Sequence, residues 1–171
     1  MDFRSLLTDL PSGMERDLLL REIMKSDEHV FTLLRLALHE KDPVAWRASW
    51  LLDCSDEKKP GLVHKHLSLI LRALEGLQSM GTLRSLLRLL TRYQIPEEEQ
   101  GMLIDRCFNY LVSEQYPVAV KAHAMQIIYN HVLLYPELKN ELIAVIEDQA
   151  ENNSVGFAAR GRFLIKQMEK L

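Results

Sequence analysis

Residues 41–53, KDPVAWRASWLLD, come back in altered form 74 positions later as QYPVAVKAHAMQI. Halving that step uncovers two more copies. Trp46-Arg47, Leu83-Arg84, Val120-Lys121 and Ala159-Arg160 are spaced by 37, 37 and 39 residues, and each ends on a basic side chain. The next residue is small in every copy: Ala48, Ser85, Ala122 and Gly161. Three positions beyond the basic residue stands an apolar one: Trp50, Leu87, Ala124 and Phe163. Self-similarity at a period of roughly 20 to 50 residues marks a chain built from stacked supersecondary units, none of which can bury its apolar face alone.

The unit is helical. Apolar residues recur at three- and four-residue steps, as in Leu67, Ile70, Leu71, Leu74 and Leu77, or Leu138, Leu142, Val145 and Ile146. That spacing lines one face of a helix, and no stretch alternates with the period of two that a half-buried strand requires. Boundaries carry their own chemistry. Ser12 with Glu15 reads as a capping box, and Asp42 before Pro43 as a cap followed by the one residue that lacks the N–H a first turn leaves orphaned. Pro96 followed by Glu97, Glu98 and Glu99 sets three carboxylates against the positive end of a helix dipole, and Ser154 reads as a cap. The pattern predicts helices over 3–9, 13–25, 28–40, 43–54, 60–78, 82–94, 97–114, 117–132, 137–150 and 155–170. Each copy of the repeat therefore spans a helical hairpin.

These segments resemble HEAT repeats, whose second helix opens with a Pro/Asp-containing turn, then Val-Arg, then small and apolar residues. The match is best at DPVAWRASWLL and YPVAVKAHAMQII; SMGTLRSLLRLL lacks the proline, and NSVGFAARGRFL is shifted by two residues. The resemblance covers residues 28–171. It implies an all-α, right-handed α-α superhelix of about four hairpins (27–56, 57–94, 95–132 and 133–171) behind N-terminal capping helices in 1–26, forming one domain over 1–171. The small residues at Ala48, Ser85, Ala122 and Gly161 are expected where second helices approach each other. HEAT proteins often place an Asp shortly before the Arg to build a ladder between repeats, and here only Asp42 does so.

Composition narrows the function class. The 171 residues are 47% hydrophobic and 26% charged, with a formal net charge of −3. Such a chain has no bulk pull toward nucleic acid or an anionic membrane. No apolar run approaches the roughly 18 residues that would span a bilayer. Asp2 and Asp9 stand where a secretory leader would carry basic charge. Cys54 and Cys107 have no close cysteine partner, as in a reducing compartment, where both thiols are expected as small buried hydrophobes. A cytoplasmic location and a monomer are the expectation.

Charge is distributed unevenly over the repeat. The second-helix segments 43–53, 82–94, 117–131 and 155–171 sum to +7, whereas the first-helix segments 28–41, 57–78, 97–114 and 137–151 sum to −6. The HEAT resemblance implies that second helices line the concave face, hence a mildly basic groove on an acidic molecule. Arg84, Arg88 and Arg92 recur at four-residue steps, and Arg160, Arg162 and Lys166 cluster in the last helix. Candidate partner-binding residues are Arg84, Arg88, Arg92, Lys121, His123, Arg162 and Lys166, and the expected partner is a protein or peptide of acidic character. The plainer account is a solvated face, with Arg84 and Arg160 bracing neighbouring repeats.

Two other function classes fit some of these residues. Trp50, Asp53 and Arg84 are the residue types that HEAT-like DNA alkylation-repair glycosylases place in a cleft, which would imply a nucleic-acid binder; sparse aromatics along the basic stripe weigh against it. The register of Trp46 and Trp50 with Leu83/Leu87 and Val120/Ala124 instead suggests repeat-core positions. A structural, self-associating module is the third class. No metal, cofactor or catalytic site is expected. His64 and His66 sit two apart and so face different ways, His123 and His131 stand alone, and phosphate-loop and nucleophile-elbow motifs are absent. In YNHVLLYPELKNEL, residues 129–142, Tyr129, Leu133, Leu134 and Tyr135 read as the link that packs the last repeat onto the third, with an exposed docking edge as the alternative.

Overall fold

The computed structural model describes residues 1–9 and 12–171; 75% of the structure is helical, with no strand among the described residues. Among the described residues ten α-helices follow one another: α1 (Phe3–Leu6), α2 (Gly13–Ile23), α3 (Asp27–His39), α4 (Val44–Lys58), α5 (Leu67–Ala73), α6 (Met80–Leu90), α7 (Glu97–Val112), α8 (Val118–Val132), α9 (Lys139–Ala150) and α10 (Val155–Met168). They form two compact units, Met1–Ile95 and Pro96–Leu171, divided one residue beyond the boundary expected between the second and third repeats. None of these helices is long and apolar enough to cross a membrane.

Side-chain caps fix where helices start. The Ser12/Glu15 capping box forms in both directions, with Ser12 N–H donating to Glu15 Oε2 at 2.8 Å. Ser154 accepts from Phe157 N–H at 3.2 Å, as its position suggests. Ser26 and Ser79 do the same for α3 and α6, accepting from His29 N–H and Thr82 N–H at 3.2 and 3.1 Å. Ser79 explains why α6 begins at Met80, two residues before the expected start. Helix α4 begins at Val44, but Asp42 Oδ1 still accepts from Trp46 N–H at 3.2 Å. Each such bond satisfies one donor that a helix start leaves without an internal partner.

The expected helix over 60–78 is not one helix. Pro60 follows the end of α4, and Gly61 turns the chain at φ +89°, a conformation that side-chain-bearing residues rarely adopt. A short 3₁₀ turn at His64–His66 then leads into α5, and a second at Leu74–Gly76 ends it. The apolar periodicity was nonetheless informative: Leu67, Ile70, Leu71 and Leu74 are all buried, and Leu77 is half-buried.

In the first unit α4 packs against α3, its hairpin partner, and against α6, the next second helix; α2 also touches α3 and α4. Leu33, Leu34, Leu51, Leu52, Ile70 and Leu86 are fully buried here. In the second unit the hairpins α7/α8 and α9/α10 lie side by side, with α8 on α10 and α7 on α9. Leu111, Ile128, Leu142 and Ile146 occupy that core. Like helices thus sit beside like helices within the unit, the arrangement the 37-residue period demands.

Small residues act at different points than expected. Ala48, Ser85 and Gly161 are buried and Ala122 is half-buried. The tight passage of α6 past α4 is at Gly81, where a Cβ would come within 2.8 Å of Trp46 Cβ. Gly161 faces its own first helix: a Cβ there would lie 2.5 Å from Ile146 Cγ2. A branched core side chain cannot swing away from such a clash without opening the packing around it. Gly161→Ala is therefore expected to lower unfolding free energy by about 1–3 kcal/mol. In an Ile146→Ala background the same change costs distinctly less; equal costs in a denaturation double-mutant cycle remove this account of the α9–α10 contact.

Candidate functional site

Most of the basic residues on second helices turn out to be structural braces. Asp53 and Asp56, on α4, are 2% and 1% exposed. Arg88 Nη1 donates to Asp53 Oδ2 at 2.5 Å, and Arg92 Nη2 donates to Asp53 Oδ1 at 2.8 Å. Arg92 Nε also reaches Asp56 Oδ2 at 3.1 Å, and Arg88 Nη2 reaches Glu57 Oε1 at 3.0 Å. The Tyr93 hydroxyl donates to Asp56 Oδ1 and accepts from Val63 N–H, so the loop before α5 joins the network. Its phenol is pushed well above the ordinary tyrosine range, first by burial and then by the Asp56 hydrogen bond. The hydrogen bond to Asp53 likewise raises the Arg88 guanidinium above its usual range.

The arginine stripe read from the sequence therefore divides. Arg92 lies in the turn beyond α6, which ends at Leu90, and its side chain is 29% exposed. Arg88 and Arg92 are held by carboxylates 31 to 39 residues earlier in the chain and are not presented to a partner. Arg84 is exposed, with no hydrogen bond or ion pair among the described residues. The expectation that Arg84 braces a neighbouring repeat does not hold, whereas that for Arg160 does: its guanidinium donates to Gln126 Oε1 on α8.

Lys121 corrects the sequence reading in the same way. It is 4% exposed, and its Nζ donates to Gln149 Oε1 of α9 at 3.2 Å. His123 is half-buried on α8. His131 is buried, its Nδ1–H donating to Ile127 O at 2.8 Å. Arg47 donates to the Leu7 and Thr8 carbonyls at 3.0 and 2.6 Å, tying α4 to the end of α1.

Arg162 and Lys166 remain, and both are exposed with no ion pair among the described residues. Helix α10 buries one stripe, Phe157, Gly161, Leu164 and Met168. At 3.6 residues per turn, Val155, Ala159, Arg162, Phe163 and Lys166 fall within an arc of about 100° on the opposite side. Val155 is 84% and Phe163 53% exposed, and the Arg160 guanidinium lies 5.6 Å from the Phe163 ring centroid. Beside this stripe runs a shallow groove of about 360 Å³ between α9 and α10, lined by Ile146, Ala158 and Ile165, by the cations Arg162 and Lys166 and by the carboxylates of Glu147 and Glu169. The result is a helix face that combines apolar area with two exposed cations in no ion pair among the described residues, and with Glu147 and Glu169 along the adjoining groove.

The other candidates are resolved by burial. Trp46 and Trp50 are half-buried, with ring centroids 6.4 Å apart, whereas Leu83, Leu87, Val120 and Ala124 at the matching positions are buried. Helix α4 turns a different arc inward, burying Leu51, Ser55 and Asp56. Because Asp53 is engaged by Arg88 and Arg92, the trio Trp50, Asp53 and Arg84 does not form a cleft with a free carboxylate. Cys107 is buried as expected, but Cys54 is only partly so; burial pushes both thiols above their ordinary range. At the link after α8, Val132 is buried and Tyr135 donates to Gln100 Oε1 at 2.6 Å, while Leu133 and Leu134 stay exposed. Among the described residues no three His, Cys, Asp or Glu side chains are grouped to hold a metal ion.

Removing one member of a buried ion pair strands its partners, and the partial exposure of both arginines moderates the penalty. Asp53→Ala is expected to destabilise the protein by about 2–3 kcal/mol. Arg84→Ala, which breaks no contact, stays within about 0.5 kcal/mol of wild type. Urea unfolding of both variants checks the contrast, and equal costs would show that the Asp53 network contributes nothing special.

Comparison with known proteins agrees with the helical-hairpin geometry. A family model described as a HEAT repeat domain matches residues 3–168. No curated protein and no solved structure gave a significant match. The matched span runs from the first residue of α1 to the last residue of α10, so the helices in 1–26, expected only as a cap, lie inside the family pattern. With 37-residue periodicity, paired helices and a match over nearly its whole length, the chain belongs to the HEAT repeat domain family.

Proposed function

We propose that this chain is a cytoplasmic, non-catalytic protein-interaction module whose contact surface is the exposed face of α10, recognising an acidic segment of a partner protein. HEAT repeats generally mediate protein interactions. One observation selects the face. Arg162 and Lys166 are exposed and in no ion pair among the described residues, and they lie beside an exposed Phe163. Elsewhere on second helices, Arg88, Arg92, Lys121 and Arg160 already have partners inside the fold.

An exposed aromatic flanked by cations offers an acidic segment both a desolvated anchor and electrostatic steering. The cations set approach and orientation, and Phe163 supplies apolar area.

Affinity capture from the native cell extract tests the reading. Wild-type protein is expected to retain partners whose crosslinks to α10 map to acidic segments. The Arg162→Glu/Lys166→Glu variant retains about tenfold less of them. Arg84→Glu, on a different helix, leaves capture unchanged. Equal capture by wild type and the α10 variant would reject α10 as the contact surface.

A further inference from the structure

The hairpin α9/α10 has a covered side and an open one. On α9, Gln149 meets Lys121 of α8, and on α10, Arg160 meets Gln126 of the same helix. Ile146 and Gly161 face each other between the two helices of the hairpin. At about 100° per residue, Glu147 lies roughly 160° round α9 from Gln149. Ala158, Arg162, Ile165 and Lys166 lie roughly 120–180° round α10 from Arg160. The groove of about 360 Å³ that these residues line therefore opens on the side of the hairpin turned away from α8.

What packs on the covered side is helical: α8 lies on α10 and α7 on α9. The open side offers the same kind of seat, with Ile146, Ala150 and Ile165 as an apolar floor between two helical walls. A helix laid along that floor continues the stacking already present on the other side and buries its own apolar ridge. An extended segment would bring unpaired N–H and C=O groups against two helices whose backbones are already internally bonded. The shape therefore selects a helix.

Charge then decides what the edges of that helix carry. Arg162 and Lys166 stand one turn apart on the α10 wall, Glu147 on the α9 wall and Glu169 just past the end of α10. All four are exposed and in no ion pair among the described residues. We infer that the groove takes an amphipathic helix of a partner protein, acidic along the edge that meets α10 and basic along the edge that meets Glu147. A uniformly acidic or uniformly basic helix would set like charges against one of the two walls, and that repulsion gives the groove its selectivity. The inference rests on the α10 contact surface of the functional reading and narrows its acidic segment to one edge of a helix.

Fluorescence anisotropy at roughly 50 mM salt, with three labelled helical peptides of about 18 residues sharing one Leu/Ala ridge, reads the selectivity. The mixed peptide carries Glu along one edge and Lys along the other; the second carries Glu on both edges and the third Lys on both. Wild type is expected to bind the mixed peptide about tenfold more tightly than either of the others. Glu147→Lys makes both walls basic and moves the preference to the all-Glu peptide. Arg162→Glu/Lys166→Glu makes both walls acidic and moves it to the all-Lys peptide. Each variant gains a ligand, which also shows that it is folded. A mixed peptide broken by two central prolines binds at least about tenfold more weakly than its unbroken form.

No binding of any peptide, one ranking shared by wild type and both variants, or equal binding of the proline peptide overturns the proposal. So does a wild type that prefers the all-Lys peptide, the bulk attraction of a chain with net charge −3. A wild type that prefers the all-Glu peptide, and loses it in the α10 variant, would sink the two-edged helix and leave the functional reading intact. Peptide preferences as expected, with partner capture unaffected in the α10 variant, would remove that reading and leave the groove's selectivity standing.

Discussion

Burying Asp53 and Asp56 inside α4 is the commitment around which the first unit is arranged. A carboxylate withdrawn from water must find fixed positive charge and hydrogen-bond donors, or the fold bears an uncompensated ion. Arg88 and Arg92 supply both, one from the last turn of α6 and one from the turn behind it, and the Tyr93 hydroxyl completes the set. Their reach requires α4 and α6 to lie side by side in one register, which Gly81 permits by leaving room for Trp46. The same network then decides which cations are left for anything else.

That division of charge gives the molecule its functional polarity. Repetition places a basic residue near the start of every second helix, but the consequences differ from copy to copy. Arg47 holds carbonyls at the end of α1, Lys121 is sealed beneath α9, Arg160 reaches α8, and Arg84 is left in solvent. Charge summed over helix segments cannot distinguish these fates, because a cation paired inside the fold and a free cation count equally. Arg162 and Lys166 join exposure to an adjoining apolar surface without an ion pair among the described residues, and so α10 emerges as the candidate binding face.

Exposed apolar residues follow a comparable logic. Helix α6, packed along α4, buries seven of its eleven residues. Helix α10 buries four of fourteen along one stripe and leaves Val155 and Phe163 in water. Phe163 and Leu87 occupy the same repeat position, and only Leu87 is fully covered. Their difference comes from what packs over the helix, which a single helix's pattern does not encode.

The all-helical class, the hairpin period, the Ser12 and Ser154 caps and the periodic core of α5 were legible in the residues, because helix formation and one-sided burial are local properties with a local signature. The break at Pro60–Gly61 was legible in principle, since a proline followed by a glycine is strong turn chemistry, but the apolar spacing downstream outweighed it. Candidate binding residues were recovered less well. Arg162 and Lys166 remain available, while Arg88, Arg92 and Lys121 were claimed by Asp53, Asp56, Glu57 and Gln149. Those partners lie 28 to 39 residues away, about one repeat, and pairing across that distance is set by how neighbouring helices stack. Sequence alone determined that this chain folds as paired helices in register. Tertiary packing decided which of its charges face inward and which are left to meet another molecule, since desolvation acts on a side chain only once a neighbour covers it.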